Sequence, residues 1–138
     1  MHWAIDYLGK PWVSGGRGPD CFDCWGLVCD IYQKQFEIEL SPFEGYNPKD
    51  LRRTNEEIEK QGVLGEWIKL DEPEDNCLVL MSKNKAFHHI GIFIDIDGGK
   101  VIHACDGANV LIQHFHKVEL SGFVKFAFYR HGSYHSRN

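Results

Sequence analysis

Asp23-Cys24-Trp25-Gly26-Leu27-Val28 is the stretch from which the rest of the chain can be read. The apolar positions Cys24, Leu27, Val28, Ile31 and Tyr32 follow one another at i, i+3, i+4, i+7 and i+8. That is the spacing of a helix with one buried stripe. The run before it, Ser14-Gly15-Gly16-Arg17-Gly18-Pro19-Asp20, holds too many breakers to be helical. A helix therefore begins at or beside Cys24, with Asp20 or Asp23 available as its N-cap. A thiol in the first turn faces unsatisfied backbone N–H groups and the positive end of the helix dipole. Both favour the thiolate, the reactive form, so Cys24 is a candidate nucleophile with a depressed pKa.

Around this helix the chain divides in two. Trp3 to about Leu8 reads as a short helix closed by Gly9-Lys10-Pro11, and Trp12 to Cys21 as a glycine loop. Cys24 to about Phe36 is the main helix. A connector, Ser41 to Pro48, leads to a charged segment, Lys49 to Gln61, with helix formers and Gly62 as C-cap. After Pro73 the pattern changes to short β-branched and aromatic runs. These are Cys77 to Met81, His89 to Ile96, Val101 to Ala104, Val110 to Phe115 and Phe123 to Tyr129. Turn signals such as Asp97-Gly98-Gly99 and Asp106-Gly107-Ala108-Asn109 separate them. Helices first and strands second predict an α+β fold, N-terminal helices packed on a C-terminal antiparallel meander. At 138 residues the chain fits one domain, residues 1–138, with a loose polar tail from His131.

A nucleophilic cysteine needs a base within hydrogen-bond reach and a partner that orients the base. His88-His89-Ile90-Gly91-Ile92-Phe93 opens one strand and Val101-Ile102-His103-Ala104 lies on the next. Alternation puts His89, Gly91 and Phe93 on one face and His88, Ile90 and Ile92 on the other. The face carrying His89 can also carry His103, opposite or diagonally. Cys24, His89 and His103 are thus the expected catalytic residues, His89 as base and His103 against its second ring nitrogen. A cationic His89 would depress the Cys24 pKa further. His88 is the alternative base, since a one-residue register slip exchanges the two faces. Trp12 and Arg17 are expected at the rim of the substrate groove.

Composition narrows the remaining classes. A net charge of −5 gives no basic surface for nucleic acid. No apolar run is long enough for membrane insertion, and Met1 to Asp6 lacks the pattern of a secretory signal. The five cysteines are odd in number, and the expectation is free thiols rather than a disulfide framework. Cys21-x-x-Cys24 has no second ligand pair at zinc-site spacing and no strand before it. No metal and no cofactor is expected; Cys21 is a neighbour that could trap Cys24 as a disulfide under oxidation.

The ordered segments "GKPWVSGGRGPDCFDCWGLVCDIY", "HHIGIFI" and "KVIHA" resemble the NlpC family of bacterial cell-wall cysteine peptidases. There a glycine-rich approach leads to an Asp-Cys-Ser-Gly-Leu-Val helix start, followed by a His-Val-Gly-Ile strand and a strand with a third polar residue. The variant "DCWGLV" looks like the branch found in phage and prophage tail proteins. The resemblance implies a papain-like fold, hydrolysis of peptidoglycan stem peptides between D-γ-glutamate and the diamino acid, and phage tail proteins as further partners. Cys24, His89 and His103 match the nucleophile, the base and the orienting residue. Trp12, Arg17, Asp23 and Trp25 are the expected substrate contacts. Trp12 stands where the family usually has Tyr, Trp25 where it has Ser, and Asn76-Cys77 where it has Gly-Asp. The implied location is a tail-associated protein, made in the cytoplasm and acting on the cell wall. The rival readings are a tail assembly or structural protein that keeps the fold without turnover, and a related cell-wall amidase. A circularly permuted acyltransferase is disfavoured because Cys24 precedes His89.

Overall fold

The computed structural model describes residues 2–40, 67–83 and 89–134. The expected connector Ser41 to Pro48, the segment Lys49 to Gln61 and His88 lie outside the described residues.

A single 3-10 turn, Trp3–Tyr7, comes first, where the His2 ring Nδ1 accepts from the Ala4 N–H at 3.1 Å. Helix α1 spans Cys24–Phe36, the stretch that the apolar stripe marks. Asp23 is its N-cap. At the other end Glu37 takes a left-handed φ of 58°, its N–H bonds to the Gln33 carbonyl at 3.2 Å, and the Ile38 N–H reaches back to the Tyr32 carbonyl at 3.0 Å. This closure satisfies carbonyls that the helix end would otherwise leave unpaired.

The strands are β1 (Trp67–Leu70), β2 (Leu78–Ser82), β3 (His89–Ile94), β4 (Lys100–Ala104), β5 (Val110–His114) and β6 (Lys125–His131). They form one antiparallel sheet in the order β1-β6-β2-β3-β4-β5. Only β2 to β5 run as a meander. The last strand crosses back to pair with β2, and β1, absent from the expected set, occupies the edge beyond it. Trp67, buried at that edge, packs at a tilt against Tyr32 of α1, with ring centroids 5.8 Å apart. A short helix α2, Phe115–Leu120, follows β5, so the run expected from Val110 to Phe115 ends as a strand at His114.

Alternation assigns each sheet face its own core. Leu78, Leu80, Ile90, Ile92, Ile94, Ile102 and Ala104 pack with Leu27, Val28, Ile31 and Tyr32 of α1. The opposite face carries Val79, Met81, Phe93 and Val101 with Phe126 and Phe128 of β6 beside them, and Val118 and Phe115 of α2 pack against it. The turn before β2 is fastened to both layers. Asn76 takes a φ of 68°, a conformation asparagine tolerates, at the place where the resemblance has glycine. Its N–H bonds to the Phe93 carbonyl at 2.7 Å, and its own carbonyl accepts from the Tyr32 hydroxyl at 2.6 Å.

Candidate active site

The helix start is built around a buried carboxylate. Asp23 is fully buried; one oxygen accepts from the Gly26 N–H at 2.6 Å and the other from the Gly15 N–H at 3.0 Å. One side chain thus caps α1 and clamps the glycine loop onto it. The loop comes so close that a Cβ at position 26 would run into the Gly16 carbonyl oxygen. Gly26 is therefore required for proximity rather than for an unusual backbone angle. Asp23 spends both oxygens inside the protein, so its expected role as a substrate contact is corrected to one of positioning. Trp25 is likewise 1% exposed and part of the main core, which puts it behind the site rather than on its surface.

Cys24 lines a cavity of about 430 Å³ together with Trp12, His89, His103, Cys105 and Gln113. Trp12 is half-buried there, at the rim position expected for it. Arg17 does not line this cavity. It is exposed over a separate depression beside Cys29 and Asp30, with Nη1 4.0 Å from the Cys29 sulfur.

The Cys24 thiol is 4% exposed, and burial pushes its pKa up to about 12, with the Asp23 charge adding to the effect. The N–H groups of Trp25 and of Cys24 itself face the sulfur and oppose the shift. The depressed pKa expected from the helix end is thus reversed. Desolvation of a thiolate outweighs what two backbone dipoles return. Burial thus works against a resting thiolate at Cys24.

Across the cavity the histidines are joined in a row. His89 Nε2 lies 2.8 Å from His103 Nδ1, and His103 Nε2 lies 2.8 Å from Gln113 Oε1. His103 is 2% exposed, and burial holds its imidazole below the ordinary histidine value, with the Gln113 bond pulling the other way. The direction of the row follows from these bonds. A carboxamide oxygen only accepts, so the single N–H of a neutral His103 points at Gln113. Its Nδ1 then accepts, and His89 Nε2 donates. The lone pair of His89 is left on Nδ1. The His89 ring also stacks on Phe123, with centroids 5.5 Å apart and planes 15° from parallel.

Gly91 makes room for this row. A Cβ there would sit 2.8 Å from the Ile102 carbonyl oxygen and 3.0 Å from the His103 Cβ, where His103 passes alongside. Gln113 is absent from the residues expected to form the site. Its signal was present: it shares strand parity with Leu111, which pairs with His103, and it follows three apolar residues on the strand. Cys105, half-buried, sits with its sulfur 3.5 Å from His103 Nδ1. All five cysteines are free thiols.

With this geometry in hand, comparison with known proteins decides the family. The NlpC/P60 family model matches residues 9–123. This chain belongs to the NlpC/P60 family. It is 30% identical over 113 residues to a probable endopeptidase p60 of Listeria grayi, a match covering 82% of this chain and 19% of that protein. The chain thus spans about a fifth of the length of the curated relative it matches. Among solved structures, the NlpC/p60 domain of the peptidoglycan hydrolase SagA superposes with a TM-score of 0.58. It shares 24% identity, and the match covers 90% of each chain. The α+β, papain-like architecture is that of the family fold.

Proposed function

We propose that this NlpC/P60 chain is a cysteine peptidase that hydrolyses peptidoglycan stem peptides at the D-γ-glutamyl–diamino acid bond. Its proposed setting is a phage or prophage tail, with tail proteins as neighbours. The observation that carries the reading is the row His89–His103–Gln113 sharing one cavity with Cys24. In it the bonded partners choose the tautomer that makes His89 Nδ1 a base. The names of the relatives supply the substrate class, and the "DCWGLV" variant supplies the tail setting.

In the proposed reaction His89 Nδ1 takes the Cys24 thiol proton as the sulfur attacks the amide carbon. Because burial disfavours a resting thiolate, proton transfer and attack belong to one substrate-bound event. The N–H groups at the start of α1 meet the tetrahedral oxyanion. The protonated imidazole then gives its proton to the leaving amine. Water deprotonated by the same nitrogen releases the acyl group and restores the thiol. His103 and Gln113 act through His89 and are positioning residues.

The test is incubation of the protein with purified sacculi, with released fragments identified by mass spectrometry and the Cys24→Ala variant in parallel. Fragments cut at the proposed bond by the wild type alone support the reading. Intact sacculi from both proteins would favour the second one, a tail protein that keeps the fold without turnover. The burial of Cys24 is the observation on that side. Cleavage at the sugar–peptide amide would make it an amidase. Chelators should leave hydrolysis untouched, because no step needs a metal.

A further inference from the structure

His89, His103 and Cys105 form a group the proposed hydrolysis does not account for. Hydrolysis uses the two imidazoles but has no need of the third member. The potential donor atoms of all three lie within 4.8 Å of one another. We propose that they form an inhibitory site for a borderline-soft divalent cation, zinc being the type case, with His89 Nε2, His103 Nδ1 and the Cys105 sulfur as ligands.

The distances suit that ion. With Zn–N near ~2.0 Å and Zn–S near ~2.3 Å, a tetrahedral site separates N from N by roughly 3.3 Å and N from S by roughly 3.6 Å. His103 Nδ1 already lies 3.5 Å from the Cys105 sulfur and 2.8 Å from His89 Nε2. The two nitrogens have to part by about half an ångström, and His89 Nε2 and the Cys105 sulfur, which lie within 4.8 Å of each other, have to settle near the same N–S separation. His103 is also prepared for the role. Its other nitrogen bonds to Gln113 Oε1, the outer contact by which ligating histidines fix their tautomer and turn the lone pair to the metal. Two imidazoles and a thiolate are a donor set for zinc rather than for magnesium or calcium. The fourth position faces the cavity and takes water.

The proton balance explains why such a site inhibits. Cys105 binds as thiolate and its proton leaves for solvent. His89 gives up its Nε2 proton to coordinate and carries one on Nδ1 instead. One proton is released per metal ion, and the nitrogen proposed to receive the Cys24 proton is now blocked. The binding claim stands on geometry alone; the inhibition claim rests on the peptidase reading.

The test uses the whole chain in two assays. Zinc is titrated against a chromophoric chelator, and the released proton is measured in weakly buffered solution. Expected are one zinc and one proton per chain, with affinity lowered at least ~100-fold in Cys105→Ala and ~10–100-fold in Gln113→Ala. In Cys24→Ala affinity should be unchanged, since Cys24 is not a ligand. Cobalt(II) with the wild type should give a thiolate charge-transfer band that Cys105→Ser lacks, which holds even if the alanine variant folds poorly. Zinc binding that survives loss of Cys105, or no stoichiometric binding, would overturn the site. In the sacculus assay saturating zinc should slow hydrolysis at least ~100-fold, reversed by EDTA. Full hydrolysis with zinc bound would overturn the inhibition. Failure of the metal-free protein to hydrolyse sacculi would instead sink the peptidase reading and leave the binding result standing.

Discussion

The start of α1 and the strand pair β3–β4 face the same cavity, but they hold their reactive groups by opposite means. At the helix, backbone does the holding. The Asp23 carboxylate ties Gly15 and Gly26 together, and Cys24 rides on the first turn with no side-chain base of its own element beside it. At the sheet, side chains do the holding, and each imidazole is aimed by the next polar group in the row. The first arrangement places an atom in a setting where burial opposes its reactive, ionised form. The second sets a protonation pattern. Reactivity in this reading belongs to the pair and to neither half alone.

Removing either reactive atom should break the comparison most completely. Cys24→Ala is expected to abolish release of fragments from sacculi, since the covalent route is gone, while a small apolar residue suits the buried first turn. His89→Ala should lower the rate by roughly 10²–10⁴-fold, the usual contribution of a general base. His88→Ala should have far less effect. Rates for the two histidine variants, measured side by side, check the assignment, and the reverse ranking would transfer the base to His88.

The helix half should fail through stability rather than chemistry. Replacing an exposed helical glycine by alanine usually gains up to about 1 kcal/mol. Here the added Cβ meets the Gly16 carbonyl oxygen and Asp23 Oδ1, so Gly26→Ala should instead cost about 2–4 kcal/mol through overpacking and a weakened cap. Urea melts read the sign directly. A neutral or stabilising result would mean that the glycine loop does not press on α1.

The sheet half should respond in its pH dependence. Gln113→Ala leaves the His103 N–H without its acceptor in a buried place, a cost of about 1–3 kcal/mol, and frees both tautomers. Turnover should fall roughly ten- to hundredfold on that scale. Gln113→Glu keeps an acceptor and adds a negative charge, which favours the protonated imidazole. The acid limb of the rate profile should therefore move to higher pH while much of the rate returns. A Gln113 that only packs would lower the melting temperature in both variants and leave that limb in place.

What is legible in the sequence differs between the halves for physical reasons. The apolar stripe and the breakers before it mark the start and extent of α1, because helix periodicity and capping are local. Strand alternation also sets His89 and His103 on one face, and the structure joins them there. What escapes are effects of the assembled fold. The crossing of β6 to β2, the extra strand β1 and the contact of Gln113 with His103 depend on long-range pairing. The charge state of Cys24 depends on how much water the finished cavity excludes, which helix position does not reveal. Asp23 and Trp25 read as surface contacts in a motif and turn out to be interior supports.

The finest test of the comparison is the order in which the thiols react. Only a thiolate alkylates quickly, and a thiol with a pKa of about 12 is ionised at pH 7 to roughly one part in 10⁵. Cys29 and Cys77 are pushed to about the same value by burial, and Cys105 to about 11. Limiting iodoacetamide at pH 7, followed by peptide mapping, should therefore leave Cys24, Cys29 and Cys77 among the last thiols labelled. Raising the pH should bring in half-buried Cys105 ahead of buried Cys24, because the reagent reaches it more readily. Should Cys24 instead react first, and lose that lead in His89→Ala, the substrate-free protein already holds a thiolate beside an imidazolium. The helix end and the base would then together outweigh desolvation, and the two halves would be coupled before substrate arrives rather than by it.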